Sequence, residues 1–131
     1  MNITVKKEKT IDMDKINSRV NLALNGTQES LEFINLILPF IKERMPLRIS
    51  VQKKANGAAD VLIETEIDPN KDYGHKIFIK DGFSIGYNGE GARGLLNLFK
   101  MLGADNSELE SLVLENNEQF RNKRLVVEIE E

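Results

Sequence analysis

Residues 47–87 decide the fold. They read Leu47-Arg48-Ile49-Ser50-Val51-Gln52, a turn at Asn56-Gly57, then Val61-Leu62-Ile63-Glu64-Thr65-Glu66-Ile67. After Asp68-Pro69-Asn70 come Lys76-Ile77-Phe78-Ile79-Lys80 and Phe83-Ser84-Ile85-Gly86-Tyr87. Leu47, Ile49 and Val51 alternate with Arg48, Ser50 and Gln52, the two-residue period of a half-buried strand. Asn56-Gly57 predicts a two-residue hairpin turn, because both central positions favour positive φ. Val61, Ile63 and Ile67 continue on the return strand, with Glu64 and Glu66 on its other face. Asp68-Pro69-Asn70 turns the chain again. Asp81-Gly82 predicts a second hairpin, with Phe78 opposite Ile85 and Lys80 opposite Phe83. Consecutive tight hairpins require antiparallel pairing.

Outward from this centre, residues 2–7 alternate weakly and read as an edge strand. Asp12 offers a cap for a helix with the stripe Met13, Ile16, Val20, Ala23 and Leu24, ended by Asn25-Gly26. Thr27 caps the next helix. Leu31, Phe33, Ile34, Leu36, Ile37, Leu38, Phe40 and Ile41 are too many for one face of it. Pro39 is expected to kink or break that helix, and Pro46 to stop it. Beyond the glycine-rich turn, Leu95, Leu96, Phe99 and Leu102 mark a helix ending at Gly103. Asp105 or Ser107 starts another, each with a glutamate three residues on, and Leu125, Val127 and Ile129 form a closing strand. The expected fold is a two-layer α+β domain over residues 1–131. It has a mainly antiparallel sheet of about six strands and four helices in the order β-α-α-β-β-β-β-α-α-β.

The 131 residues fall within the roughly 100–200 of a usual single domain. With 40% apolar and 30% charged residues the composition is globular, not disordered. The absence of cysteine excludes disulfides, thiolate metal sites and cysteine nucleophiles, and fits a reducing compartment. The lysine-rich start has no apolar run to act as a signal, and the longest apolar stretch, residues 36–41, is far short of the roughly 20 needed to span a bilayer. A cytoplasmic protein without a membrane contact is expected. Net charge is −3 and the cations are scattered, which argues against nucleic-acid binding.

The sharpest chemical feature is residues 86–94, Gly86-Tyr87-Asn88-Gly89-Glu90-Gly91-Ala92-Arg93-Gly94. Part of it matches G-x-G-x-x-G between a strand and a helix. Glycines let a backbone approach a ligand, free amides at a helix start favour an anion, and Arg93 can add a bidentate contact. A dinucleotide fold is not expected, because the preceding strand belongs to an antiparallel hairpin and no acidic residue ends a second parallel strand about 20 residues on. The candidate ligand-binding residues are therefore Gly86, Tyr87, Asn88, Gly89, Gly91, Arg93 and Gly94. The run from Phe83 to Leu95, with Gln119-Phe120 and Val126-Val127 further on, resembles the strand–Gly-Tyr-Gly-Gly-Ser/Thr-Gly-Pro–helix signature of small uncharacterised bacterial and phage proteins. Asn88 stands where that signature has glycine and Ala92 where it has proline. The resemblance covers about the last third of the chain and implies a mobile-element or accessory setting.

His75 is the only histidine and no motif places a serine or carboxylate beside it, so no catalytic residue is assigned. The strand-face pairs Glu64/Glu66 and Glu128/Glu130 read as solvent faces that discourage edge pairing, so no metal or cofactor is expected. The function expected is non-enzymatic binding of a phosphate-bearing small molecule or nucleotide at residues 86–94. The alternative is a small acidic inhibitor or regulator, of anti-defence or immunity type, docking on a larger protein partner through those glutamates. The crowded helix from Leu31 to Ile41 is a candidate homodimer surface.

Overall fold

The computed structural model describes residues 2–16, 20–23, 26–68, 70, 74–115 and 120–131. Strands β1 (Asn2–Lys9), β2 (Val20–Ala23), β3 (Leu47–Lys53), β4 (Ala58–Glu64), β5 (Lys76–Ser84) and β6 (Lys123–Glu130) form one sheet in the order β1-β6-β3-β4-β5-β2. Five of them, from β1 to β5 across that order, pair antiparallel. The short β2 adds to the far edge, parallel to β5. Helices α1 (Thr27–Lys42), α2 (Glu90–Leu102) and α3 (Ser107–Leu114) complete the chain. Among the described residues no helix is long and apolar enough to cross a membrane.

The α+β class stands, but the expected set of about six strands and four helices in that order is corrected: the described residues hold five antiparallel strands, the short parallel β2 and three α-helices. Where the first helix was expected, the chain makes a 3-10 turn at Met13–Lys15 and then β2. Asp12 does cap, its carboxylate accepting from the Asp14 N–H at 3.1 Å, but the cap starts a single turn. Leu24 and Asn25 lie outside the described residues. The expected hairpin at Asp81-Gly82 is also absent, because β5 runs through it. Lys80, Asp81 and Gly82 together face the single residue Asp60, between the pairs Ala59↔Phe83 and Val61↔Ile79. Extra residues on one strand of a pair make a bulge. Asp81 takes positive φ (57°), and its N–H goes sideways to the Asp60 carboxylate at 3.0 Å. Gly82 lies against α1, where a Cβ would fall 2.7 Å from the Ser30 hydroxyl, and its carbonyl accepts from Thr27 Oγ1 at 2.8 Å.

At the other turn the pairs reach Lys53↔Ala59, and Lys54 N–H bonds the Ala58 carbonyl at 2.8 Å. The loop is therefore Ala55-Asn56-Gly57, with only Gly57 at positive φ, a three-residue hairpin instead of the two-residue form. β4 ends at Glu64, so Ile67 lies beyond it.

Leu47, Ile49, Val51, Val61, Ile63, Ile77, Ile79, Phe83, Leu125, Val127 and Ile129 form one buried layer with the inner residues of all three helices. Burying each such side chain stabilises the fold by about 1.5–3 kcal/mol before entropy is counted. α1 keeps its helix through Pro39. Pro39 and Asn35, whose carbonyl it leaves without an intrahelical donor, are both exposed, so water can take that carbonyl. Only Ile34 and Ile41 of the crowded α1 stripe are fully buried, and Leu36 is 79% exposed.

The opposite face of the sheet carries charges in register. Thr4, Glu128, Arg48, Glu64 and Lys76 form one row across five strands, and Lys6, Val126, Ser50, Leu62 and Phe78 form the next. Lys6 bridges Glu128, and Arg48 lies 3.6 Å from Glu64. Met13 packs with Leu62 and Phe78, flanked by Ile11 and Ile16. The chain leaves β1 at one edge and must reach β2 at the other, and this packing marks its path over the open face.

Candidate functional site

β5 delivers the glycine-rich turn to the end of the sheet. Ile85 is buried and anchors it, and Gly86 turns the chain at φ 97°, a conformation side chains with a Cβ resist. The Gly86 N–H is consumed by the Val113 carbonyl of α3 at 2.7 Å. Tyr87 is half exposed, its hydroxyl 3.2 Å from the Ser84 hydroxyl, and its ring lies so close to Gly89 that a Cβ there would overlap it. Asn88 is exposed. Gly89 is the N-cap of α2 and offers no side chain to the first-turn amides. Unpaired amides at a helix start attract anions, and Glu90 in the same turn opposes that field.

The remaining expected residues divide. A Cβ on Gly91 would sit 2.5 Å from the Ser84 hydroxyl, and Gly94 is buried against the Thr27 methyl. These two glycines serve the packing of α2 on β5 and α1, Gly94 buried and Gly91 partly so. Arg93 is exposed and makes no side-chain hydrogen bond or ion pair among the described residues. The structure thus brings Gly86, Tyr87, Asn88 and Gly89 together on one outer loop, with Arg93 on the helix that follows.

One cation was missed. Lys53 Nζ lies 3.4 Å from where a Cβ on Gly86 would stand, and it has no ion pair among the described residues. The signal was topological: β3 and β5 both pair antiparallel with β4, so their C-terminal ends lie at the same end of the sheet. Asn88 also lines, with Ser107, Glu110, Ser111 and Glu115, a shallow depression of about 400 Å³. Ser111 donates to Glu115 at 2.8 Å there. Lys53 Nζ and the Glu115 backbone carbonyl thus both approach Gly86.

His75 belongs to a separate cluster. Its Nδ1 lies 3.2 Å from Glu66 Oε1, its ring meets Phe40 edge-on at 4.9 Å, and the Arg44 guanidinium stacks 3.7 Å above Phe40. Arg44 also lies 3.7 Å from Glu66. The hydroxyl within this group, Thr65, is buried and accepts from the His75 N–H at 2.9 Å. The cluster clasps the ends of β4 and β5 to α1. Among the described residues no group of three or more acidic or histidine side chains could hold a metal ion. Of the paired glutamates, Glu64 and Glu128 are engaged with Arg48 and Lys6, while Glu66 has left the strand at positive φ. No protein-family model matches this chain, and no curated protein or solved structure is significantly similar to it.

Proposed function

We propose that the protein is a non-catalytic binding protein that takes a phosphate-bearing small molecule at the loop of Gly86, Tyr87, Asn88 and Gly89. The observation that carries this reading is the unpaired Lys53 ammonium beside Gly86, at a helix start without a side-chain cap. The phosphate lies between Lys53 and the first-turn amides of α2, with Arg93 as a second cation and the Tyr87 ring as an apolar wall. The hydroxyls of Ser107 and Ser111 and the amide of Asn88 suit the uncharged part of such a molecule. The resemblance of residues 83–95 to small phage and bacterial proteins supports an accessory setting.

Thermal denaturation with nucleotides, cyclic nucleotides and inorganic phosphate tests this. A ligand present at about 100 times its dissociation constant stabilises by about 2.7 kcal/mol, a rise of several degrees in Tm. Lys53→Ala and Arg93→Ala each remove most of that rise. A panel in which no compound shifts Tm, or a shift that survives Lys53→Ala, overturns the assignment. Docking on a protein is the second reading, favoured by Leu36, whose 79% exposure leaves an aliphatic side chain on the outer face of α1 for a partner or a second copy.

A further inference from the structure

The open face of the sheet is hollowed, between β1, β6 and β3, into a cleft of about 510 Å³. That size lies within the roughly 300–1,000 Å³ of small-molecule clefts. Val126 lies in its floor, and Pro46 and Ile67, joined by a backbone hydrogen bond of 3.3 Å, give it an apolar wall. Its cations are Lys6, Arg48 and Arg124, and its carboxylates Glu8, Glu128 and Glu130. Lys6 is paired with Glu128, and Arg48 is shared with Glu64.

Arg124 is different. It is half-buried, and among the described residues no carboxylate comes within ion-pair distance of it. Nε donates to the Lys9 carbonyl at 2.9 Å and Nη1 to the Ser50 hydroxyl at 2.6 Å, both neutral acceptors. Those bonds use two of the five guanidinium donors and leave three, two on Nη2 and one on Nη1, on a residue that lines the cleft. Burial, and then the positive Arg48, push its pKa below the ordinary arginine value, while Glu8, its cross-strand partner in β1, and Glu64 pull the other way. A partly desolvated cation whose hydrogen bonds go to neutral acceptors gains from an added counter-charge.

We propose that this cleft binds a small monocarboxylate with an apolar body, its carboxylate on the remaining donors of Arg124 and its body against Val126, Pro46 and Ile67. A monoanion fits better than a phosphate dianion. The cleft's own charges offset one another, Arg48 is already shared, and the donors left on Nη1 and Nη2 match the fork of a single carboxylate. The site is independent of the loop at residues 86–89.

The test uses the full chain, with 3-phenylpropionate as the probe and 3-phenylpropionamide and inorganic phosphate as comparators, followed by amide and arginine-Nε NMR shifts. The expected result is saturable movement of the Val126, Leu47 and Arg124 signals with 3-phenylpropionate, while Gly86 and Gly89 stay still. The neutral amide binds at least about tenfold more weakly, and Arg124→Lys, which loses the planar fork, weakens the carboxylate by a similar factor. Should that variant fail to fold, the comparison of acid with amide on the wild-type protein decides. Equal binding of the amide, the same shifts with phosphate, or no saturable shift at millimolar probe overturns the proposal.

Discussion

Asp60 is 3% exposed, and a carboxylate that far from water needs partners. It accepts from the Asp81 N–H and lies 3.2 Å from Lys54 Nζ, which also reaches Asp81 at 2.7 Å. Burial works against the charge on Lys54, but the hydrogen bonds to Asp81 and Asp60 outweigh it and raise its pKa above the ordinary 10.5. The Lys54→Met variant leaves Asp60 without a cation, and a loss of about 2 kcal/mol is expected, read as a lower urea midpoint. The folded-state pKa is the raised one. The contribution is therefore complete below pH 10.5 and fades as pH climbs through the folded value, so the gap between wild type and variant narrows on the alkaline side. A gap that stays constant there would show that Lys54 supplies packing and not charge.

At the level of elements, what was legible followed from strong periodicity and what was not followed from contacts made at a distance. The alternation of β3 and β6 and the αL glycine closing α2 at Gly103 are local, and each appears where its pattern lies. Asp81-Gly82 has the composition of a turn, yet its amide and carbonyl are claimed by Asp60 and Thr27, which are 21 and 55 residues away. Val20 and Ala23 fit a helical stripe equally well, and only the free edge of β5 makes them a strand. Pro39 shows the limit of a propensity rule, since an exposed break in the hydrogen-bond ladder is tolerated within a helix held by Ile34 and Ile41. Pro39→Ala restores that bond. Proline in a helix interior is about 3 kcal/mol less favourable than alanine, and the extra freedom of the unfolded chain returns about 0.4–1 kcal/mol of it. A net stabilisation of roughly 1–3 kcal/mol is expected, with a higher Tm and unchanged ligand response. A variant no more stable than wild type would mean that the helix is bent to fit the core and that straightening it disturbs the packing.

For the whole molecule, the unequal treatment of the two sheet faces governs where binding can occur. One face is sealed by three helices, so its chemistry is confined to the rim, where the loop at residues 86–89 was legible from its glycines but Lys53 was not, because its approach depends on strand order. The other face is covered only in part. There Gln52 grips the crossing chain with both ends of its amide, Oε1 accepting from the Ile11 N–H at 2.9 Å and Nε2 donating to the Ile11 carbonyl at 2.8 Å. Met13 then seats on Leu62 and Phe78. This small cluster lies apart from the main core, so the crossing is expected to open locally, below the free energy of global unfolding. Gln52→Ala deletes both hydrogen bonds, each worth about 0.5–1.5 kcal/mol. Hydrogen exchange at the Ile11, Lys15 and Ile16 amides is then expected to quicken by about tenfold or more, while Ile49 and Ile63 in the centre of the sheet keep their rates. Equal acceleration at Ile49 would show instead that the crossing unfolds only with the sheet, making the open face as rigid as the covered one.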